Sequence, residues 1–225
     1  MSTIYLSEHA NYILIDYLKS LGHHLIFIRS TDLVYDAVSA HPDIYLCKMG
    51  ADKRASVFIG DKTQLGFEYP QNIGFNAVCM GHYFIHNLKY TSPELMETAR
   101  NQGMTFIHVK QGYTKCNTVV VDENAIITSD AGIVKALNPF HMEILLIQSG
   151  YVNLPGLPYG FLGGASGRVG NQIVFNGNLE QHPDCKRICE FIESRGLSVH
   201  YFREYELEDI GSIIETDSND SFGYY

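Results

Sequence analysis

The stretch Ser92-Pro93-Glu94-Leu95-Met96-Glu97-Thr98-Ala99-Arg100-Asn101-Gln102-Gly103-Met104-Thr105-Phe106-Ile107-His108-Val109 reads as one complete α/β unit. Ser92 is a helix cap and Pro93 takes the first helical position, where its missing N–H costs nothing. The helical run ends at Gly103, and Thr105 to Val109 forms a strand. A β-pair follows, Thr118 to Val121 and Ala125 to Thr128, joined by the short polar turn Asp122-Glu123-Asn124. Ser129 or Asp130 then caps a helix over Ala131 to Leu137.

Upstream, Asn11 to Leu21 places Ile13, Leu14, Tyr17, Leu18 and Leu21 on one helical face, and Gly22 stops the run. Leu25 to Ile28 is the next strand, Leu33 to Ser39 a short helix, Ile44 to Cys47 and Ser56 to Ile59 two more strands, and Ala77 to Ile85 is extended. Downstream, Glu143 to Ile147, Gln172 to Phe175, Val199 to Phe202 and Asp209 to Ile214 read as strands. A helix from Asp184 to Arg195 is closed by Gly196. The order of helix, turn, strand, polar loop and strand thus recurs about five times, at about 45 residues per unit. The expected fold class is α/β, in one domain over residues 1–215, followed by a disordered acidic tail over 216–225.

With 225 residues, 45% of them hydrophobic, the chain suits one sizeable core. No run approaches the roughly 18 apolar residues that span a bilayer, and no signal segment is readable at the start, so a cytoplasmic location without membrane partners is expected. A net charge of −9 with dispersed Lys and Arg disfavours nucleic acid as a partner. The five cysteines lack paired C-x-x-C spacing, so reduced thiols and no metal site are expected. Gly163 to Gly170 lacks the Gly-Lys-Ser/Thr ending of a phosphate loop, and no cofactor is expected.

Cys116 follows Lys115 in a polar loop, and a neighbouring cation lowers a thiol pKa. The competing reading is a small cysteine packed in the interior, which also serves for Cys47 and for the pair Cys185 and Cys189 on one helical face. His41-Pro42-Asp43 offers a base and a carboxylate, or else a turn with an Asp cap. The same tripeptide recurs as His182-Pro183-Asp184, before a helix. His82 and His86 lie four apart in an extended stretch, too far apart to share a metal.

The five-fold helix-and-strand order, the two H-P-D tripeptides and the polar loops after alternate strands resemble the pentein superfamily, the α/β-propeller fold of guanidino-group-modifying enzymes. Gly112 to Asn117, Gly160 to Gly167 and Asp209-Ile210-Gly211-Ser212 look like strings of an uncharacterised bacterial branch of it. The resemblance implies five pseudo-symmetric units around a pore, with carboxylates, a histidine and a cysteine at one mouth. It implies a hydrolase or amidinotransferase acting on a small cationic guanidino or amidine ligand. On that reading Cys116, His41 and Asp43 are catalytic, and Asp209, Ser212, Ser166, Lys115 and Asn117 touch the substrate. The chain departs from the family in having no cysteine after Cys189; Ser212 stands where one is expected. The alternative is a pentein-fold binding protein that has lost the chemistry. A third class is an assembly subunit, with 15 tyrosines and 12 phenylalanines as material for homo-oligomer contacts.

Overall fold

The computed structural model describes residues 2–217. Fourteen strands and six α-helices follow one another there, interrupted by short 3-10 turns, and the strands form five small sheets. The chain begins with β1 (Thr3–Ser7), α1 (Tyr12–Ser20) and β2 (His24–Ile28). Next come α2 (Pro42–Tyr45), β3 (Leu46–Lys48) and β4 (Val57–Ile59), then β5 (Val78–Met80), β6 (Tyr83–His86), α3 (Pro93–Asn101) and β7 (Thr105–His108). The third passage is α4 (Thr114–Asn117), β8 (Thr118–Val120), β9 (Ala125–Thr128), α5 (Ala131–Leu137) and β10 (Glu143–Leu146). The last is β11 (Ser166–Val169), β12 (Gln172–Phe175), α6 (Cys185–Ser194), β13 (Ser198–His200) and β14 (Ile214–Thr216).

The repeat is more regular than the linear pattern. In four sheets a first strand pairs antiparallel with a second, a helix follows, and a third strand returns parallel to the second: β5-β6-β7, β8-β9-β10, β11-β12-β13 and β14-β1-β2. Such a parallel return needs a crossover, which α3, α5, α6 and α1 supply. The fifth sheet is the hairpin β3-β4. In β14-β1-β2 the two ends of the chain meet, with Thr3 opposite Thr216 and Tyr5 opposite Ile214. The helices carry their apolar faces onto these sheets, as Leu14 and Leu18 of α1 do against Ile4 and Leu6. The inner strands β5, β8, β11 and β14 lie side by side in that order, with β3 next to β5. Among the described residues no helix is long and apolar enough to cross a membrane.

Several expectations need correction. The strand expected over Ile44 to Cys47 is the single turn α2 followed by β3, because Pro42 at the first helical position starts a turn before the chain becomes extended at Leu46. The helix expected over Leu33 to Ser39 shrinks to a 3-10 turn at Asp36–Val38. Two strands go unread in the sequence: β1, and β11 inside the Gly-rich passage. Asp209 to Ser212 is a turn and not a strand, with Gly211 at φ +72° and Ser212 at φ +77°. The expected tail begins too early: Thr216 belongs to β14, and the Asp217 N–H donates to the Lys53 carbonyl. Residues 218–225 lie outside the described residues.

Candidate functional site

The loops that lead into the inner strands converge. α2 precedes β3, Asn76 precedes β5, α4 precedes β8, Gly163 and Gly164 precede β11, and Ser212 precedes β14. Each brings one polar group to the same end of the sheets. The Cys116 thiol donates to Asp43 Oδ2 at 3.0 Å, and Ser212 Oγ reaches the same oxygen at 2.7 Å. Lys115 Nζ donates to Ser212 Oγ at 2.9 Å and to the Gly163 carbonyl at 3.3 Å. His41, Asp43 and Cys116 offer a nitrogen, an oxygen and a sulfur that all lie within 4.8 Å of one another. His41 Nδ1 stands 3.8 Å from Asp209 Oδ1.

Two features mark this cluster as unfinished. His41 Nδ1 and Asp43 Oδ1 are buried with no hydrogen-bond partner among the described residues, an arrangement that costs free energy unless a ligand uses it. The second H-P-D copy supplies the contrast. His182 Nδ1 accepts from the Asp184 N–H and its Nε2 meets the Gln148 carbonyl, while Asp184 accepts from the Gln148 N–H and pairs with Arg187 at 2.6 Å. There the motif is a satisfied turn, and His41-Pro42-Asp43 is not.

A residue that sequence reasoning missed holds the cluster in place. Asn76 Nδ2 donates to the Asp43 carbonyl and to Cys116 Sγ, while its Oδ1 accepts the N–H groups of Lys115 and Cys116. Its signal was its position, two residues before an inner strand, much as Asn117 directly precedes one. Asp209 is fixed by the N–H of Phe161 on Oδ2 and of Gly211 on Oδ1. Gly211 is required: a Cβ there would sit 2.1 Å from His41 Cβ. The cluster opens into a cavity of about 330 Å³ lined by His41, Cys116 and Asp209 with Tyr35, Tyr113 and the Leu154–Phe161 loop. Tyr35 and Tyr113 share a hydroxyl hydrogen bond at 2.9 Å, and Asn72 donates to Tyr113.

The other expected residues fall elsewhere. Asn117 is buried but turned away, bonded to Thr128 and Ser129. Ser166 lines a different cavity. Cys47 packs in the core, as the core reading of it expects, 3.8 Å from Cys79, and Cys185 and Cys189 pack from α6 against the core, as their core reading expects. Cys116 is not in a polar loop but in the buried turn α4. Its neighbour Lys115 turns its ammonium to Ser212, and burial, then the charges of Asp43 and Asp209, push Cys116 well above the usual thiol range.

Burial sets the resting charges. It raises Asp43, raises Asp209 to about 6, lowers Lys115 and lowers His41 to about 4. The titrations of His41 and Asp209 act on stability in opposite directions. Between pH 6.5 and 4 the unfolded chain binds a proton at His41 that the folded one refuses, so His41 makes stability fall on acidification. Between pH 6 and 3.8 the folded chain holds a proton on Asp209 that the unfolded one has lost, so Asp209 makes stability rise. Relative to wild type, His41→Gln should therefore soften the acid loss and Asp209→Asn should steepen it, each by roughly 3 kcal/mol by pH 4. Urea unfolding at intervals from pH 7 to 4 reads this directly; parallel curves for the three proteins would refute it.

In chemical terms the cluster offers a thiol with an acceptor for its proton, an imidazole held neutral, two carboxylates and one ammonium. His41, Asp43 and Cys116 also form a donor set that a zinc-like ion accepts. Comparison with known proteins bears on the fold. The agmatine deiminase of C. jejuni superposes with a TM-score of 0.50 over 96% of this chain and 93% of that chain, at 8% identity, a likeness of fold alone. No curated protein sequence matches the chain. The model of one family does match, over residues 5–214, and the chain accordingly belongs to the family of unknown function DUF6873.

Proposed function

We propose that this protein is a thiol-dependent enzyme acting on the central carbon of a guanidino or amidine group, built on a pentein α/β propeller whose five sheets surround a central channel. The fold reading is supported by the repeated sheet order, the meeting of both chain ends in β14-β1-β2 and the likeness to agmatine deiminase. The observation that carries the chemical reading is the convergence of Cys116 Sγ, a His41 ring nitrogen and an Asp43 oxygen, with Cys116 and His41 lining the cavity, Asp43 buried behind Cys116, and the Asp43 Oδ1 and His41 Nδ1 atoms unpartnered among the described residues.

A planar cation entering the cavity meets Asp209, with Asp43 buried behind Cys116, and its charge favours their ionised forms. The same charge stabilises the Cys116 thiolate, whose proton passes to Asp43 Oδ2, already its hydrogen-bond acceptor. Cys116 Sγ then forms a bond to the amidine carbon and a C–N bond breaks, the proton held by Asp43 passing through the neutral His41 ring, which takes it on one nitrogen and gives one from the other, to the departing amine. Water, for a hydrolase, or a second amine, for an amidinotransferase, attacks the carbon, breaks the C–S bond and returns the thiol. Tyr35 and Tyr113 wall the cavity and hold the substrate's apolar stem. The ammonium of Lys115 acts on Asp43 and disfavours adding a divalent cation to the same three ligands. Ser212, at the place of the family's cysteine, lines none of the described cavities and serves to position Asp43.

Chloroacetamidine, an amidinium that alkylates thiols with loss of chloride, tests this. It should label Cys116 at least ~10-fold faster than neutral chloroacetamide does, and Asp43→Asn should erase the preference. Intact-protein and peptide mass spectrometry give both rates. Equal rates for the two reagents would remove the cation-recognition reading, and a panel of guanidino compounds assayed for ammonia or amine release would then be expected to show no turnover, leaving a binding protein.

A further inference from the structure

A second cavity, of about 40 Å³, lies among the inner strands of all five sheets, lined among others by Lys48 of β3, Cys79 of β5, Val119 of β8, Ser166 and Arg168 of β11 and Ile214 of β14. That volume holds one or a few water-sized particles and no organic ligand. Its charge is one-sided. Lys48, Arg168 and Lys115, which lines it from α4, are partly buried cations, and none takes part in an ion pair among the described residues. Lys48 donates to the Ala51 carbonyl at 3.5 Å, and Arg168 to the carbonyls of Gly170 and Val121 at 3.3 and 3.4 Å, all long contacts.

The two carboxylates that act on Lys48 are occupied. Glu215 accepts from Ser2 Oγ and the Gly170 N–H, and Asp52 accepts from Arg54. Burial lowers Lys48 to about 8, and Arg168 and Lys115 add to the lowering while Glu215 and Asp52 work against it. Ser166 is the independent observation. It lines this cavity, is 1% exposed, and its hydroxyl has no hydrogen-bond partner among the described residues. A buried donor beside cations that repel one another is suited to an anion that would satisfy both.

We propose that this cavity binds a small inorganic monoanion of the halide class, held by the Ser166 hydroxyl and by the charges of Lys48, Arg168 and Lys115. The anion neutralises the repulsion between strands and so ties the inner strands together. The proposal does not rest on the thiol reading, although Lys115, whose ammonium reaches Ser212 and the Gly163 carbonyl, is shared by both clusters.

Thermal unfolding of the full chain in chloride and in gluconate, at equal ionic strength, tests the site. Gluconate is too large to enter. At a chloride concentration ten times Kd, the midpoint should lie about 3–6 °C higher than in gluconate. Lys48→Met and Ser166→Ala should each abolish that difference. A crystal grown in bromide should show an anomalous peak beside Ser166 Oγ. Equal midpoints in the two salts, a chloride effect that persists in both variants, or bromide on the surface alone would overturn the proposal.

Discussion

Cys116→Ala should lower turnover of the best guanidino or amidine substrate by about 10⁴-fold while changing its binding only a few-fold. Of the side chains lining the 330 Å³ cavity, Cys116 is the thiol, and it faces that cavity beside His41 and Asp209. Removing the atom that forms the covalent bond deletes a step and leaves Asp209 and the aromatic wall to hold the cation. The loss should therefore appear in kcat, with KM nearly constant. Ser212→Ala gives the contrast. Its hydroxyl touches Asp43 and the Lys115 ammonium, not the cavity, so its loss should cost about 10²-fold. If Ser212→Ala proved the more damaging and Cys116→Ala retained activity, the nucleophile would be Ser212 with Lys115 as its base, and the roles of the two side chains would be reversed. Circular dichroism of both variants separates lost chemistry from lost structure.

Gly167→Ala should destabilise the protein by about 4 kcal/mol or more, lowering the midpoint by about 10 °C. Gly167 lies in β11, where the Ile213 N–H donates to the Ser166 carbonyl as the chain runs into β14. A Cβ on residue 167 would sit 1.9 Å from the Ile213 carbonyl oxygen and 2.7 Å from its carbon, both backbone atoms. Two inner strands would have to part, which no rotamer change avoids. Gly170 is the control. It has φ +56°, but a methyl added there would meet nothing within 4 Å, so Gly170→Ala should cost only the left-handed penalty of about 1 kcal/mol. Chemical denaturation of the two variants checks the ranking, and a Gly167→Ala protein as stable as Gly170→Ala would contradict the close approach.

Local chemistry alone determined a good part of this molecule. Ser92 and Pro93 start α3, Asp130 caps α5 by accepting from Gly132 and Ile133, and the Thr118–Thr128 pair is antiparallel, because caps, turns and alternation act over a few residues. The recurrence of those units gave the α/β class and its five-part count. His41, Asp43, Cys116, Lys115, Asp209 and Ser212 were also legible as chemistry-bearing residues, and they do meet. What the sequence left undetermined was everything set by contacts across the chain. β1 is the middle strand of its sheet, between β2 and β14, and the second of these comes from some two hundred residues away. β11 looks like a glycine loop until its small residues are seen to admit neighbouring backbones. Local spacing suggested that Lys115 would activate Cys116, yet adjacent residues on a helical turn point apart, so tertiary packing sent the ammonium to Ser212 and buried the thiol against a carboxylate. Asn117 and Ser166 were lost from the site in the same way, and Asn76 was gained, because which face of a turn meets the cavity depends on partners far along the chain.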